Sequence, residues 1–447
     1  MIEAIGFPKY VLSLLDRLEE SGFEAYLVGG CVRNALMGIE THDFDITTSA
    51  LPEEIKGVFS DMRIVETGIK HGTVTVISDD VAAEITTYRT DGIYADRRHP
   101  QSVDFVSSLE NDLARRDFTV NAIAYSEKRG IVDRFDGIAH LKDGILCCVG
   151  EADKRFDEDA LRIMRGLRFM SEYGFVPNDK TSAALHKKKE LLKEISAERI
   201  NSELSKLLCG KGDFLSHVLR EYWDIFAVII PEIADCQGFE QHTHYHDRDV
   251  WEHTIAAVCS IEPVIHLRLA MLLHDLGKPA AYSFYNGAGH FKGHGEISAE
   301  ICMRTVNKLR FDNETFKKVL FLIERHDMVM TDDPVLIKKH LNKFGTEFYF
   351  DLIKVHIADD MAKSPDAQGR IATYYSAAET ANKILSQQDC YSLKNLEING
   401  HDIVRMGFVG KDIGAALEFL LNAVIEGKCD NKKEALCDYL EQNRNNI

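Results

Sequence analysis

The sequence predicts an α+β fold, a small mixed β-sheet head followed by a mostly helical body. Three observations carry this. Short apolar or alternating segments at Ala25–Val28, 73–77, 82–88 and Val103–Phe105 suggest a sheet with helices on one side. From Asp157 onward apolar residues recur at helical spacing, with few prolines to interrupt them. At 447 residues the chain is too long for one core, so at least two domains are expected. Composition shifts place the boundaries near Gly150, across residues 237–249 (where polar and histidine residues break the periodicity), and after Gln388. The expected segments are therefore 1–150, 151–236, 237–388 and 389–447.

In chain order, residues 8–20 form an amphipathic helix, with proline near its first turn and Gly22 just past its end. Residues 26–49, YLVGGCVRNALMGIETHDFDITTS, complete the first strand and continue into the glycine pair Gly29 and Gly30. A helix carrying Arg33 comes next, then a second strand bearing Asp43 and Asp45. Residues two apart on a strand share a face, so these carboxylates lie about 6–7 Å apart at the backbone. That spacing suits Mg2+, which takes a few carboxylate oxygens and leaves other positions to water and phosphate. Glycines ahead of a helix let the backbone approach an anion, and the helix N-terminus favours phosphate. A lone glycine pair is usually a turn, and a lone Asp-x-Asp is usually a solvated strand edge. Ordered within one strand–helix–strand unit, they point to a nucleoside triphosphate and a metal. Residues 90–101, TDGIYADRRHPQ, read either as a loop over this site or as a surface hairpin.

Composition bounds the partners. The formal net charge of −18 argues against non-specific nucleic-acid binding by the chain as a whole, but leaves room for a local basic track. The run Lys187, Lys188 and Lys189 is either a solvated helix face or a phosphate contact. Ten cysteines without a CxxC pair suit a reducing cytoplasm. No apolar run is long enough for a membrane span, and MIEAIGFPKY lacks a signal-peptide core.

Two further clusters extend the triphosphate reading. ARRDFTVNAIAY supplies Arg115, Arg116 and Asp117 ahead of a run expected to be buried. These charges could form a structural salt bridge; beside a metal-triphosphate unit, arginine is better explained as gripping phosphate oxygens. In DEDALRIMRGLRF, Asp159, Arg162, Arg165 and Arg168 recur every three residues. On a helix they form one drifting polar stripe, with Leu161, Ile163, Met164, Leu167 and Phe169 supplying the buried side. Such a stripe is a solvent face or a surface for an anionic ligand.

Taken together, these segments resemble the class II tRNA nucleotidyltransferases, the CCA-adding enzymes of the polymerase-β-like superfamily. LVGGCVRN…HDFDITTSA is similar to their catalytic motif and RRDFTVNAIAY to their second motif. DEDALRIMRGLRF resembles the nucleotide-selecting helix, SAERINSELSKLL the neck motif, and LEINGHDIVRMGFVGKDIGAAL the C-terminal RNA-binding region. The resemblance implies that Asp43 and Asp45 hold Mg2+. It implies that Gly30, Arg33, Arg116 and Asp117 serve the incoming nucleotide. Asp159 and Arg162 would read its base, supported by Arg165 and Arg168. The implied reaction is attack of a tRNA 3′-hydroxyl on the α-phosphorus of CTP or ATP, releasing pyrophosphate. Enzymes of the family that stop after CC typically have a shortened loop where residues 91–100 are kept in full, which favours addition of the terminal A. An A-adding or CC-adding partial enzyme and a poly(A) polymerase share the core motifs and remain alternatives.

Residues 251–360 are rich in histidine and aspartate. Adjacent His274 and Asp275 on an apolar helix are costly to bury without a partner. Histidine and carboxylate groups on separate helices make a transition-metal or magnesium site plausible. The pattern resembles the HD phosphohydrolases: His253, His274, Asp275 and Asp359 match the ligand positions, and His294 and His326 match the additional histidines. It implies a second divalent metal and a phosphohydrolase activity. The competing readings are a retained scaffold, or an HD-type hydrolase whose head only binds nucleotide as a regulator.

Overall fold

The computed structural model describes residues 6–66, 68, 69, 72–78, 81–91, 103–106 and 108–444. The chain divides into two compact units, Met1–Pro231 and Glu232–Ile447.

The first unit opens with helix Lys9–Glu20, whose Val11, Leu14, Leu15 and Leu18 are buried at helical spacing. Its strands are β1 (Ala25–Val28), β2 (Phe44–Thr48), β3 (Arg63–Val65), β4 (Thr73–Ser78), β5 (Val81–Thr87), β6 (Arg89–Asp91), β7 (Val103–Phe105), β8 (Ile123–Ser126) and β9 (Gly130–Asp133). Seven of them form one mixed sheet in the order β3-β4-β5-β2-β1-β8-β9, and β6 pairs with β7 as a separate ribbon. Only the β2–β5 ladder in that sheet is parallel.

Strand alternation decides what faces what. Ala25 and Leu27 of β1, with Phe44 and Ile46 of β2, join the core built on helix Lys9–Glu20. Each fully buried leucine of that helix contributes about 2 kcal/mol by leaving water. Tyr26 and Val28 point the other way and pack with Leu109 and Leu113 of helix Leu109–Ala114. Helices therefore cover both faces, where the sequence suggested one. A strand buried on both sides needs apolar residues at every position, as in AYLV of β1.

The rest of this unit is helical apart from a short parallel pair, Ile145–Leu146 with Val176–Pro177. Asp159 does not sit on the helix that carries the arginines. It caps helix Ala152–Glu158 in an extended conformation, with φ −139°, before helix Leu161–Tyr173 begins. The backbone N–H of Leu161 donates to Asp159 Oδ1 at 3.1 Å. A three-residue spacing looks the same whether or not the helix is broken, so the break was hidden. The lysine run is tied up internally: Lys187 pairs with Asp153, Lys188 with Asp157, and Lys189 with Asp224. Residues 92–100, the greater part of the expected loop, lie outside the described residues.

The second unit is built on helices Val250–Ser260, Ile265–Leu273, His294–Lys308, Asn313–Ile323 and Thr346–Met361. His274 and Asp275 lie in the turn that ends the apolar helix Ile265–Leu273, not within it. Near the C-terminus, Ile403, Phe408, Leu420, Leu436 and Leu440 form a separate small core. Among the described residues no helix is long and apolar enough to cross a membrane.

Candidate active site

β1 is followed by Gly29, whose φ of +77° suits glycine. A Cβ there would lie 3.2 Å from an Arg116 guanidinium nitrogen and 3.6 Å from Asp45 Oδ2. The bend turns the chain into helix Gly30–Leu36, which carries Arg33 inward. Arg33 is only 5% exposed and donates to Asn34, to Asn121 at 2.7 Å and to the Tyr173 hydroxyl at 2.9 Å. Its guanidinium also lies over the rings of Phe169 and Tyr173. Burial pulls its pKa down, and the surrounding acceptors oppose this.

Asp43 and Asp45 stand at the start of β2, on the face opposite Phe44 and Ile46. Both carboxylates reach solvent in a cleft of about 370 Å³. Desolvation by the cleft walls pushes Asp45 above its usual pKa; Arg116 pulls against it and Asp43 adds to it. The parallel ladder sets Glu84 of β5 opposite Asp45. Glu84 is also raised, by desolvation first and then by Asp45 and Asp43. Sequence reasoning missed this third carboxylate, because only the pairing of two distant strands places it here.

Helix Leu109–Ala114 supplies Asp112, a fully buried acid that sequence reasoning also missed. It accepts from Arg115 at 2.8 Å, from Thr47 of β2 at 3.1 Å and from Arg116 at 3.3 Å. Arg115 is thus a structural partner, while Arg116 is steered beside Gly29. Asp117 accepts from Asn121 and from Arg165, the latter at 2.8 Å. Burial disfavours the Asp117 anion, but Arg165, Asn121 and Arg162 outweigh it and hold the carboxyl well below the usual range.

Helix Leu161–Tyr173 brings Arg165 and Arg168 to the same cleft, which Gly29, Gly30, Arg33, Asp43, Asp45, Arg116, Asp117 and Phe169 also line. Gly166 lets this helix approach closely, since a Cβ there would meet the Phe118 ring at 3.2 Å. Asp159 and Arg162 are not among the lining residues. Arg162 donates to Glu158 and to the backbone carbonyls of Arg155 and Arg115. Asp159 is gripped by Arg199 at 2.9 Å. Arg199 lies one turn before Glu203 on helix Ala197–Leu208, and Glu203 pairs with Arg168 at 3.3 Å. The neck helix thus holds both ends of the polar stripe.

In the second unit, His253, His274, Asp275 and Asp359 converge, all buried, with their ligating atoms within 4.8 Å of one another. Asp275, His294 and His326 form an adjoining buried group. Burial opposes ionisation of Asp275 and Asp359, yet the facing histidines and lysines hold both well below the usual carboxylate range. His290 instead stacks on Tyr285 of a small hairpin.

The mixed sheet, its in-register acids and the arginines around them define a nucleotidyltransferase. Residues 25–147 match the family described as the poly(A) polymerase head domain. Residues 174–236 match a probable RNA- and SrmB-binding site of polymerase A, and residues 297–440 match a putative second domain of tRNA nucleotidyltransferase. The CCA-adding enzyme of Ligilactobacillus salivarius is 33% identical over 443 residues, covering 96% of this chain and 95% of that one. That of Latilactobacillus sakei is 52% identical over 199 residues, 44% of this chain and 50% of that one. The chain belongs to the CCA-adding enzyme family. The structure of the Bacillus stearothermophilus CCA-adding enzyme in complex with CTP aligns over 98% of both chains, with 27% identity and a TM-score of 0.69. The Thermotoga maritima CCA-adding enzyme complexed with tRNA shares the fold at a TM-score of 0.62 and 20% identity, covering 99% of this chain and 97% of that one.

Proposed function

We propose that this enzyme adds C, C and A in turn to tRNA 3′ ends that lack them, using CTP and ATP and releasing pyrophosphate. The observation that supports it most is the cleft in which Asp43 and Asp45 face Arg116, Arg165 and Arg168. Its oxygen donors Asp43 and Asp45 fit Mg2+, and a divalent cation would offset the burial that raises Asp45. Bound there, Mg2+ would supply charge neutralisation at the reacting phosphate.

The chain's own groups do the remainder. Arg116, Arg165 and Arg168 hold triphosphate oxygens, and the Gly29–Gly30 backbone admits them without a side chain in the way. Arg33, locked by Asn121 and Tyr173, gives the cleft floor a fixed positive charge for the ribose and phosphates. Catalysis here rests on positioning and charge stabilisation. Asp159 and Arg162 read the base. Cytosine and adenine both present an exocyclic amine on the pairing edge, which a carboxylate accepts from. Uracil and guanine present a carbonyl that a carboxylate repels. To take part, Arg162 must exchange its bonds to Glu158 and to the carbonyls of Arg155 and Arg115, and Asp159 its bond from Arg199, for bonds to the base. Retention of residues 91–100 supports addition of the terminal A.

The test is extension of tRNA ending at the discriminator base, at C or at CC, with CTP, ATP, both, or UTP and GTP. Addition that stops at CCA is expected from all three ends. Stopping at CC, or open-ended A addition, would replace this reading with a partial enzyme or a poly(A) polymerase.

A further inference from the structure

We infer that Asp112 is the positioning residue that ties Arg116 to β2, so that the acids of that strand and the arginine that grips the triphosphate are set as one unit. This role rests on the transfer reaction proposed above. It falls to a residue that is not among those lining the cleft. Asp112 lies on helix Leu109–Ala114, which packs on the Tyr26 and Val28 face of the sheet. β2 turns Asp45 and Thr47 to that same face, because Phe44 and Ile46 take the other.

A fully buried carboxylate persists only when its oxygens are satisfied, and Asp112 divides its two between different tasks. Oδ1 accepts from Nε and Nη2 of Arg115, at 3.0 and 2.8 Å. Oδ2 accepts from the buried Thr47 hydroxyl at 3.1 Å and from Arg116 Nη2 at 3.3 Å. Burial disfavours the anion, but the two arginines and the bonds from Arg115 and Thr47 outweigh it and hold the carboxyl below the usual range. Arg115 thus supplies the countercharge at one oxygen, and the other joins Thr47 to Arg116.

That bond splits the Arg116 fork. Nη2 is held by Asp112, while Nη1 is the nitrogen 3.2 Å from where a Cβ on Gly29 would lie. The same Cβ would lie 3.6 Å from Asp45 Oδ2, so acid and arginine meet at one glycine. Among the described residues, Arg116 Nε is buried with no partner. A guanidinium carries five N–H donors, so donors remain for an anion in the cleft that Arg116 lines. An unanchored arginine samples many rotamers, and the bond to Oδ2 selects one. Because Thr47 is two residues from Asp45, the tether fixes Arg116 relative to the acids and not only to its own helix. The end of that helix is pinned independently: the carbonyls of Ala114 and Arg115 accept from Arg155 at 3.1 Å and from Arg162 at 2.9 Å. Loss of the tether therefore frees the Arg116 side chain without releasing the backbone.

The test is a double-mutant cycle on C addition by the full-length enzyme to tRNA ending at the discriminator base, with kcat and KM read separately. Asp112→Asn is expected to lower kcat by about 10²-fold, the effect of misplacing a positioned group, with KM for tRNA unchanged. Thr47→Val keeps the shape and removes the hydroxyl; it is expected to lower kcat by about tenfold, with Thr47→Ser recovering most of the rate. In an Arg116→Ala background neither change should lower kcat by more than about twofold, because the arginine through which both act is gone. Full additivity in that background would overturn the tether and leave Asp112 a structural residue. An undiminished kcat in Thr47→Val would overturn it too, and the Thr47 variants carry the cycle alone if Asp112→Asn does not fold. A wild-type rate in Arg116→Ala would remove the arginine from the transfer reaction, defeating the proposed reading of the cleft and the tether with it.

Discussion

Asp45 and Glu84 sit opposite each other across the parallel β2–β5 ladder, which brings two acids far apart in sequence into register next to the cleft that Asp45 lines. Asp45 is raised by desolvation and by Asp43 against the pull of Arg116 and Arg165, and Glu84 by desolvation and then by Asp45 and Asp43, so a divalent cation would relieve both. Glu84→Gln should therefore lower nucleotide incorporation by about 10²-fold or more while changing stability little, as removal of a preorganised electrostatic group does. Steady-state kinetics against Mg2+ concentration checks this. Unchanged Mg2+ dependence would remove Glu84 from the site.

Gly29 joins β1 to the helix that carries Arg33, at φ +77° and with Arg116 beside it. Gly29→Ala should cost about 1–2 kcal/mol from backbone conformation alone. It should also displace Arg116 and weaken CTP binding. Thermal melts and calorimetric titration with CTP measure the two effects separately. Normal CTP affinity would mean that Arg116 does not need this approach.

Asp117 ties the second motif to Arg165. Its folded pKa is depressed, so its contribution is present above about pH 4, the unfolded carboxylate value, and is lost as pH falls through the folded value. Asp117→Asn should lose on the order of 3 kcal/mol at neutral pH by leaving a charged partner uncompensated. It should also flatten the acid side of the stability profile. Urea unfolding across acid and neutral pH tests both, and an unchanged acid slope would contradict the pairing.

Arg199 grips Asp159 from the neck helix. Asp159→Ala should weaken discrimination of CTP and ATP against UTP and GTP more than it weakens folding. Arg199→Ala should do the same to a smaller degree, with Arg199→Lys partly restoring selectivity. Nucleotide competition assays read this out. Full selectivity in Asp159→Ala would sink its base-reading role.

Much of this was legible in the sequence because the key groups lie close together in it. Gly29, Gly30, Arg33, Asp43 and Asp45 fall within one strand–helix–strand unit, and periodicity carried Arg165 and Arg168 to one face. The residues missed were those set by distant pairing. Glu84 depends on a parallel register, Asp112 on a helix crossing the sheet, and Arg199 on a neighbouring helix. The break at Asp159 escaped because helical spacing continues through it. In the second unit the histidines were visible as types, but the backbone carbonyls of Ala362, Met271, Phe291 and Ile323 that lie against their Nδ1 atoms are marked by no side-chain pattern.

The most direct measurement places the transfer chemistry in the head cleft. A tRNA ending at the discriminator base is extended with CTP and ATP by wild type, by Asp43→Ala/Asp45→Ala and by His274→Ala/Asp275→Ala, each confirmed folded by circular dichroism. Completion of CCA by the wild type and the second-unit variant, with at least 10³-fold loss in the Asp43/Asp45 variant, is the predicted result. Persistent addition by the Asp43/Asp45 variant, or loss confined to the second-unit variant, would contradict it.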